Sequence, residues 1–145
     1  MAMTTIYKLA ITPDDLEKCH DALHLWGVMH PDRKIAQPCL MAFRDDRLVG
    51  FIGTAPVEEV HAVVCNRIAV DPLLSRTAHG FLVLRLVEGY ERILRGAGVR
   101  WYHVPLDSFN ETLIKIFERY GQKPYARVRR EMSTSETVWF KREIA

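Results

Sequence analysis

The chain has 145 residues, 20 basic and 18 acidic side chains, and a hydrophobic content of 48%. These totals are typical of one globular domain, which we expect to span residues 1–145, and they exclude a largely disordered chain. A net charge of only +2 gives no support for a nucleic-acid partner. The apolar runs are too short to cross a membrane and the N-terminus lacks a signal-peptide pattern, so we expect a cytoplasmic protein with no membrane partner.

Cysteine and histidine spacing argues against a disulfide framework and against a metal centre. The three cysteines are odd in number and widely separated, which agrees with a reducing compartment. His20 and His24 lie one turn apart on a predicted helix, and His30 follows. Because no third ligand lies at a metal-binding distance, we interpret them as solvated or core-edge histidines.

The first half of the chain predicts a strand, a helix and three further strands. Ile6 to Ile11 is a short strand, and Thr12-Pro13 then begins a helix with an N-cap threonine and an N1 proline. That helix ends near Gly27, and residues 30–38 are predicted to be an irregular loop. Residues 39–43 and 48–54 form a hairpin, and Val60 to Val70 adds a third strand, so the three make an antiparallel meander.

The second half changes to helix, strand and helix before a closing hairpin. The apolar stripe predicts a helix from Thr77 to Arg95, followed by a strand over residues 99–106. A last helix runs from Phe109 or Asn110 to Tyr120, with its N-cap expected at Asp107-Ser108. Residues 124–132 and 137–144 are predicted to be the two strands of the hairpin.

The junction between the fourth strand and the long helix predicts an anion site. The strand stops at Pro72, and the first amides of a helix have no intrahelical partner and lie at the positive end of its dipole. Ala78 and Gly80 leave room for close approach, so we expect free donors from Ala78 to Gly80. Many strand-to-helix junctions in α/β proteins share these features, and that simpler interpretation stays open.

This order of elements resembles the GNAT superfamily of N-acetyltransferases. Residues 68–72 match its hydrophobic-x-Val-x-Pro strand end, and residues 75–80 stand at its Arg/Gln-x-x-Gly-x-Gly/Ala pyrophosphate turn. Ser75 replaces the Arg/Gln and Ala78 the first Gly, so the turn is an eroded version, as in short phage-encoded members. An alternative register that starts at Arg76 places His79 and Phe81 where small residues belong. The resemblance implies a GNAT fold of the α/β (α+β) class, with a mixed, mostly antiparallel sheet of about six to seven strands and helices on both faces.

A second landmark lies in the last helix. The family pattern Asn-x6-Tyr-x3-Gly is matched in spacing by Asn110, Phe117 and Gly121. Phe117 therefore stands where the family has the tyrosine that protonates the leaving thiolate.

The resemblance also implies site roles, with acetyl-CoA (coenzyme A) as the acyl-donor cosubstrate. The backbone of Ile68, Ala69 and Val70 would hold the pantetheine and polarise the thioester carbonyl. The pyrophosphate would contact the turn and helix start, which comprise Ser75, Arg76, Thr77, Ala78, His79, Gly80 and Phe81. Asn110 and Phe117 would lie near the pantetheine. His103 is the preferred base over Glu58, Glu59 and His61, and Tyr120 or Ser108 is the candidate acid.

The implied function is transfer of an acetyl group to a primary amine of a small molecule or a protein. The alternative is a catalytically inactive GNAT-fold protein with a binding or structural role, such as a phage-associated one, which Phe117 and the eroded turn favour. A homodimer formed by strand exchange at the closing hairpin is compatible with the sequence.

Overall fold

The computed structural model describes residues 4–26, 35–55, 64–108, 111–119, 124–129 and 136–144. The strands are β1 (Ile6–Leu9), β2 (Ala36–Arg44), β3 (Arg47–Ala55), β4 (Val64–Val70), β5 (Trp101–Asp107), β6 (Pro124–Arg129) and β7 (Glu136–Glu143). The helices are α1 (Pro13–Leu25), α2 (Arg76–Gly96) and α3 (Glu111–Arg119). None of these helices is long and apolar enough to cross a membrane.

All the described strands form one sheet in the order β1-β2-β3-β4-β5-β7-β6. The first four are antiparallel neighbours, which confirms the predicted meander. β5, β7 and β6 are also antiparallel, and β4 and β5 are the one parallel pair in the described sheet. The predicted mixed, mostly antiparallel sheet is therefore confirmed.

α1 covers one face of the sheet, over β2, β3 and β4. Thr12 Oγ1 accepts from the Asp15 N–H and the Asp15 carboxylate accepts from the Thr12 N–H, so the two residues form a complete capping box. The buried side of the helix, which includes Cys19 and Leu23, packs on Met41 and Phe51 of the sheet. The helix start predicted at Thr12-Pro13 is therefore confirmed.

α2 and α3 lie on the opposite face and enclose the larger core. Leu82, Leu86 and Leu94 of α2 are buried against the central strands, and Leu113 and Phe117 of α3 join the same cluster. Helices therefore cover both faces, as the resemblance implied.

Two consecutive residues of α2 attach it to the two halves of the sheet. Tyr90 shares a buried hydrogen bond with Thr54 of β3. Glu91, only 3% exposed, accepts hydrogen bonds from the Tyr102 hydroxyl of β5 at 2.8 Å and from Arg142 Nε of β7 at 2.8 Å. The hydrogen bond with Glu91 raises the pKa of Arg142, so this guanidinium stays charged. α2 is thereby bonded to β3 on one side of the boundary between β4 and β5, and to β5 and β7 on the other.

Several predicted boundaries were wrong. Residues 36–38 belong to β2 rather than to an irregular loop, because Ala36 pairs with Thr54 of β3 and a register shift between Ala36 and Cys39 accommodates the next two residues. The first strand ends at Leu9 rather than Ile11. The predicted strand residues 60–63 and the candidate residues Glu58, Glu59 and His61 lie outside the described residues.

The predicted histidine pair is described in part. The His20 and His24 rings meet edge to face at 5.1 Å, and His30 lies outside the described residues. No group of three or more His, Cys, Asp or Glu side chains that could hold a metal ion occurs in the described ranges.

Candidate functional site

In the described part of the chain, β4 and β5 separate after one registered pair. Among the described residues, Val64 opposite His103 is the single registered pair between these strands. Beyond that pair, β4 continues to Val70 and β5 to Asp107 without further registered pairs. A gap therefore opens between two adjacent strands, on the side of their carboxyl ends, where α2 begins.

The main chain of Ile68 and Val70 faces this gap. The Asp71 N–H donates to the Val49 carbonyl of β3 at 2.8 Å. Because hydrogen-bonding direction alternates along a strand, Ala69 also faces β3, and Ile68 and Val70 face β5. Two residues of β4 thus present N–H and C=O groups where a neighbouring strand would pair with them.

Pro105 explains why β5 does not pair with them. The Ile144 N–H donates to the Arg100 carbonyl at 2.8 Å, so Tyr102 and Val104 hydrogen-bond to β7, and the alternate residues His103 and Pro105 face β4. Proline has no N–H to donate, so the ladder to β4 loses its donor just past His103. The sequence carried this signal, a proline inside a predicted interior strand, and our sequence analysis missed it.

The turn between β4 and α2 is fixed by Asp71. Its Oδ1 accepts from the Leu73 N–H at 2.9 Å and its carbonyl accepts from the Leu74 N–H at 3.2 Å. Its Oδ2 also lies 3.4 Å from Arg47 Nη2. The buried carboxylate therefore sets the path by which the chain leaves β4 and enters the helix.

The donors predicted at Ala78 to Gly80 are not free, which corrects the sequence analysis. Ser75 is the N-cap of α2: its Oγ accepts from the Ala78 N–H at 3.2 Å, and its carbonyl accepts from the His79 N–H at 2.8 Å. The helix begins at Arg76, one residue before the predicted Thr77, because Ser75 is its N-cap. The amides of Arg76 and Thr77 have no intrahelical partner, so they are the amides of this helix start that are available to an anion.

The surface beside this helix start is open. A Cβ added at Gly80 would meet no atom within 4 Å. Phe81 is 62% exposed, and His79 is half-buried. Neither side chain belongs to the buried core.

His103 lies at the closed end of the gap, on the sheet face opposite α2. Its neighbours there are the Trp101 ring, edge-on at 5.0 Å between centroids, and Lys141, its cross-strand partner on β7. Desolvation by burial, and then the positive charge of Lys141, lower the pKa of His103 from its ordinary value of 6.5. The imidazole is therefore neutral at neutral pH and able to accept a proton.

The predicted site residues at the end of β5 and in the last helix are described only in part. Phe117 is buried and stacks on Phe140 with ring centroids 5.6 Å apart. The described part of α3 begins at Glu111, and residues 109–110, between it and the predicted cap, lie outside the described residues. The Ser108 Oγ accepts from the Glu136 N–H at 2.9 Å and joins β5 to β7. Asn110, Tyr120 and Gly121 lie outside the described residues.

The structure thus places several of the predicted site residues along the gap between β4 and β5. The main chain of Ile68 and Val70 and the start of α2 border the open gap, and His103 lies at its closed end. Ala69 faces the other way: its side chain is buried against the α1 face and its main chain pairs with β3.

No protein-family model matches the chain, and no curated protein matches its sequence. Several solved structures, however, are similar to it in fold. The ribosomal-protein-S18-alanine N-acetyltransferase of Escherichia coli is 15% identical, with a TM-score of 0.70 over 98% of this chain and 95% of that one. A GNAT-family acetyltransferase of Bacillus cereus is 15% identical, with a TM-score of 0.67 over 98% and 99%. An aminoglycoside 6'-N-acetyltransferase complexed with coenzyme A is 18% identical, with a TM-score of 0.69 over 97% of both chains.

Proposed function

Because the chain has the fold of the GNAT acetyltransferases, we propose that it is an acetyl-CoA-dependent N-acetyltransferase acting on a primary amine of a small molecule or a protein. The observation that carries the proposal is the gap between β4 and β5, with the main chain of Ile68 and Val70 facing it. A fold alone hosts many functions, whereas this gap is a specific feature with hydrogen-bonding groups on one wall.

The residues present fit the cosubstrate. A pantetheine arm carries amide groups, and the main-chain groups of Ile68 and Val70 can pair with it as they would with a strand. The Arg76 and Thr77 amides, at the positive end of the α2 dipole, suit the pyrophosphate. The open space over Gly80 lets a phosphate approach the helix closely.

Acetyl-CoA would supply an acetyl thioester whose carbonyl carbon is open to attack by an amine. In this proposal, a β4 N–H facing the gap donates to the carbonyl oxygen, where negative charge develops. His103 accepts a proton from the acceptor ammonium, directly or through water, so that a neutral amine attacks. Protonation of the departing thiolate is assigned to Tyr120 or Ser108, the two candidates of the sequence analysis.

Coenzyme A binding by the Gly80→Val variant tests the proposal. A Cβ at this position meets no atom within 4 Å beyond the helix's own backbone and its chain neighbours, so the fold should stay intact and the valine methyl groups should occupy the phosphate space. We expect calorimetry and thermal shift to show binding to the wild-type chain and a loss of affinity of at least about tenfold in the variant.

Gly96 provides the matched control at the other end of the same helix. A Cβ there also meets no atom within 4 Å, so Gly96→Val should keep wild-type affinity. Equal affinity of all three proteins would place the cofactor elsewhere. No binding by the wild-type chain at millimolar coenzyme A would reject the enzyme proposal.

A catalytically inactive GNAT-fold protein is the second candidate. The observation that favours it is Phe117, which stands at the position of the family's acid and is buried against Phe140 rather than presenting a hydroxyl. The absence of coenzyme A-dependent acetylation of any amine in a broad panel, together with intact coenzyme A binding, would favour this candidate.

A further inference from the structure

The two edges of the sheet differ in how they are protected from pairing with another chain. β6, at one edge, begins with Pro124 and carries the exposed Arg127, two features that oppose strand addition. β1, at the other edge, has neither proline nor bulge, and Ile6, Tyr7 and Leu9 are 58%, 38% and 46% exposed. The β1 edge therefore presents apolar side chains beside an open row of backbone groups.

The backbone groups that face outward from β1 can be identified. The Ala10 N–H donates to the Cys39 carbonyl of β2 at 2.8 Å. By alternation, Lys8 and Ile6 also hydrogen-bond to β2, which leaves the N–H and C=O groups of Thr5, Tyr7 and Leu9 directed away from the sheet. Within the described part of the chain, no strand lies on that side of β1.

Lys8, the charged residue of β1, does not protect the edge from pairing with another strand. Its ammonium lies over the Phe43 ring of β2, 5.9 Å from the centroid, and so leans towards the interior of the sheet. On the other face, Tyr7 and Leu9 line a groove of about 540 Å³ between β1 and α2, with Leu40 and Ile93 as further apolar lining. An added strand would continue the sheet and extend over this groove.

We propose that the β1 edge is a homodimer interface, in which β1 of a second copy pairs antiparallel with it about a two-fold axis at Tyr7. A two-fold axis requires an antiparallel pair centred on one residue. Centring on Lys8 would place two lysines opposite each other, whereas centring on Tyr7 places Lys8 opposite Ile6 of the second copy. In that register, the main chain of Tyr7 hydrogen-bonds to Tyr7 of the second copy, and Thr5 of each copy hydrogen-bonds to Leu9 of the other. All the outward-facing N–H and C=O groups of these three residues are then paired.

This interface suits a second copy better than an unrelated peptide because the pairing is self-complementary in both backbone and side chains. The two β1 strands would join the sheets into one, and Tyr7 and Leu9 of each copy would close the groove between the two α2 helices. The proposal places the dimer at the opposite edge from the closing hairpin that the sequence analysis considered, and it is independent of the acetyltransferase function.

The test is the mass of the full chain by light scattering and sedimentation, from low micromolar to several hundred micromolar protein. We expect the wild-type chain to approach twice its mass of 16.8 kDa as concentration rises. Tyr7→Glu should be monomeric, because two carboxylates would face each other at the axis. Leu25→Glu, an equally apolar-to-acidic change at an exposed position on α1, should dimerise as the wild type does.

Two further variants test the register. Tyr7→Pro removes an outward N–H but none that bonds to β2, so it should abolish the dimer and keep the fold. Ile6→Glu places a carboxylate opposite Lys8 of the second copy and should tighten association by roughly tenfold, since the pair occurs twice. A wild-type chain that is monomeric at every concentration, or a dimer that Tyr7→Glu leaves intact, would overturn the proposal and leave the edge to an extended peptide of another protein.

Discussion

Replacing Glu91 by alanine removes the carboxylate that joins α2 to β5 and β7. Four donor atoms surround it: the Tyr102 hydroxyl and Arg142 Nε at 2.8 Å, Arg142 Nη2 at 3.3 Å, and Arg95 Nη2 at 3.5 Å. In the variant, the buried Tyr102 hydroxyl loses this acceptor and Arg142 loses its counter-charge. Breaking a buried ion pair from one side costs about 3–5 kcal/mol, and we take the lower end because the Arg142 side chain is 31% exposed.

A loss of about 3 kcal/mol in the free energy of unfolding should lower the melting temperature by roughly 10 °C for a chain of this size. Glu88→Ala is the control, since Glu88 lies on the same helix in an exposed ion pair with Arg85 that is worth less than about 1 kcal/mol. Calorimetry and urea unfolding measure both variants. If Glu91→Ala melts within 2–3 °C of Glu88→Ala, the carboxylate does not anchor the helix and the reasoning fails.

The remaining predictions concern the gap and its chemistry. Lys141→Gln should raise the pKa of His103 towards 6.5 and hence move the acid limb of the kcat/KM profile to higher pH. Lys141→Arg keeps the positive charge and should leave the profile unchanged. An NMR titration of the His103 imidazole that is the same in Lys141→Gln as in the wild type would argue against the charge effect. Phe117→Tyr should raise kcat by supplying a phenol at the position of the family's acid, in addition to the hydroxyls of Tyr120 and Ser108. Unchanged turnover of a folded variant would assign thiolate protonation elsewhere. Pro105→Ala should add one hydrogen bond between β5 and β4, worth about 1 kcal/mol, and so weaken coenzyme A binding in the gap. Rapid exchange of the new amide hydrogen at position 105 with solvent would contradict this prediction.

Local signals in the sequence predicted most of the architecture. The Thr12 cap, the alternation of the hairpin strands and the stripe of α2 each depend on neighbouring residues, and each element formed where it was expected. Ser75 was also a local signal for the start of α2, but the predicted start at Thr77 came from the apolar stripe rather than from the N-cap preference of serine.

The features that define the site depend on long-range pairing and were less accessible. The role of Pro105 follows only from knowing that its missing N–H would have faced β4, which the register with β7 fixes. The Glu91–Arg142 pair joins residues separated by 51 positions, and no periodicity in the sequence connects them. Phe117 was placed by spacing, but its stacking on Phe140 required the position of β7.

Among the described residues, one registered pair joins β4 to β5, so the sheet consists of two lobes rather than one continuous ladder. One lobe comprises β1 to β4 and the other β5 to β7. Tyr90 hydrogen-bonds to the first lobe and Glu91 to the second, so α2 sets the distance between the two lobes. The aperture between the lobes is therefore governed by a helix lying across it, and substitutions along α2 can widen or narrow it without touching either strand.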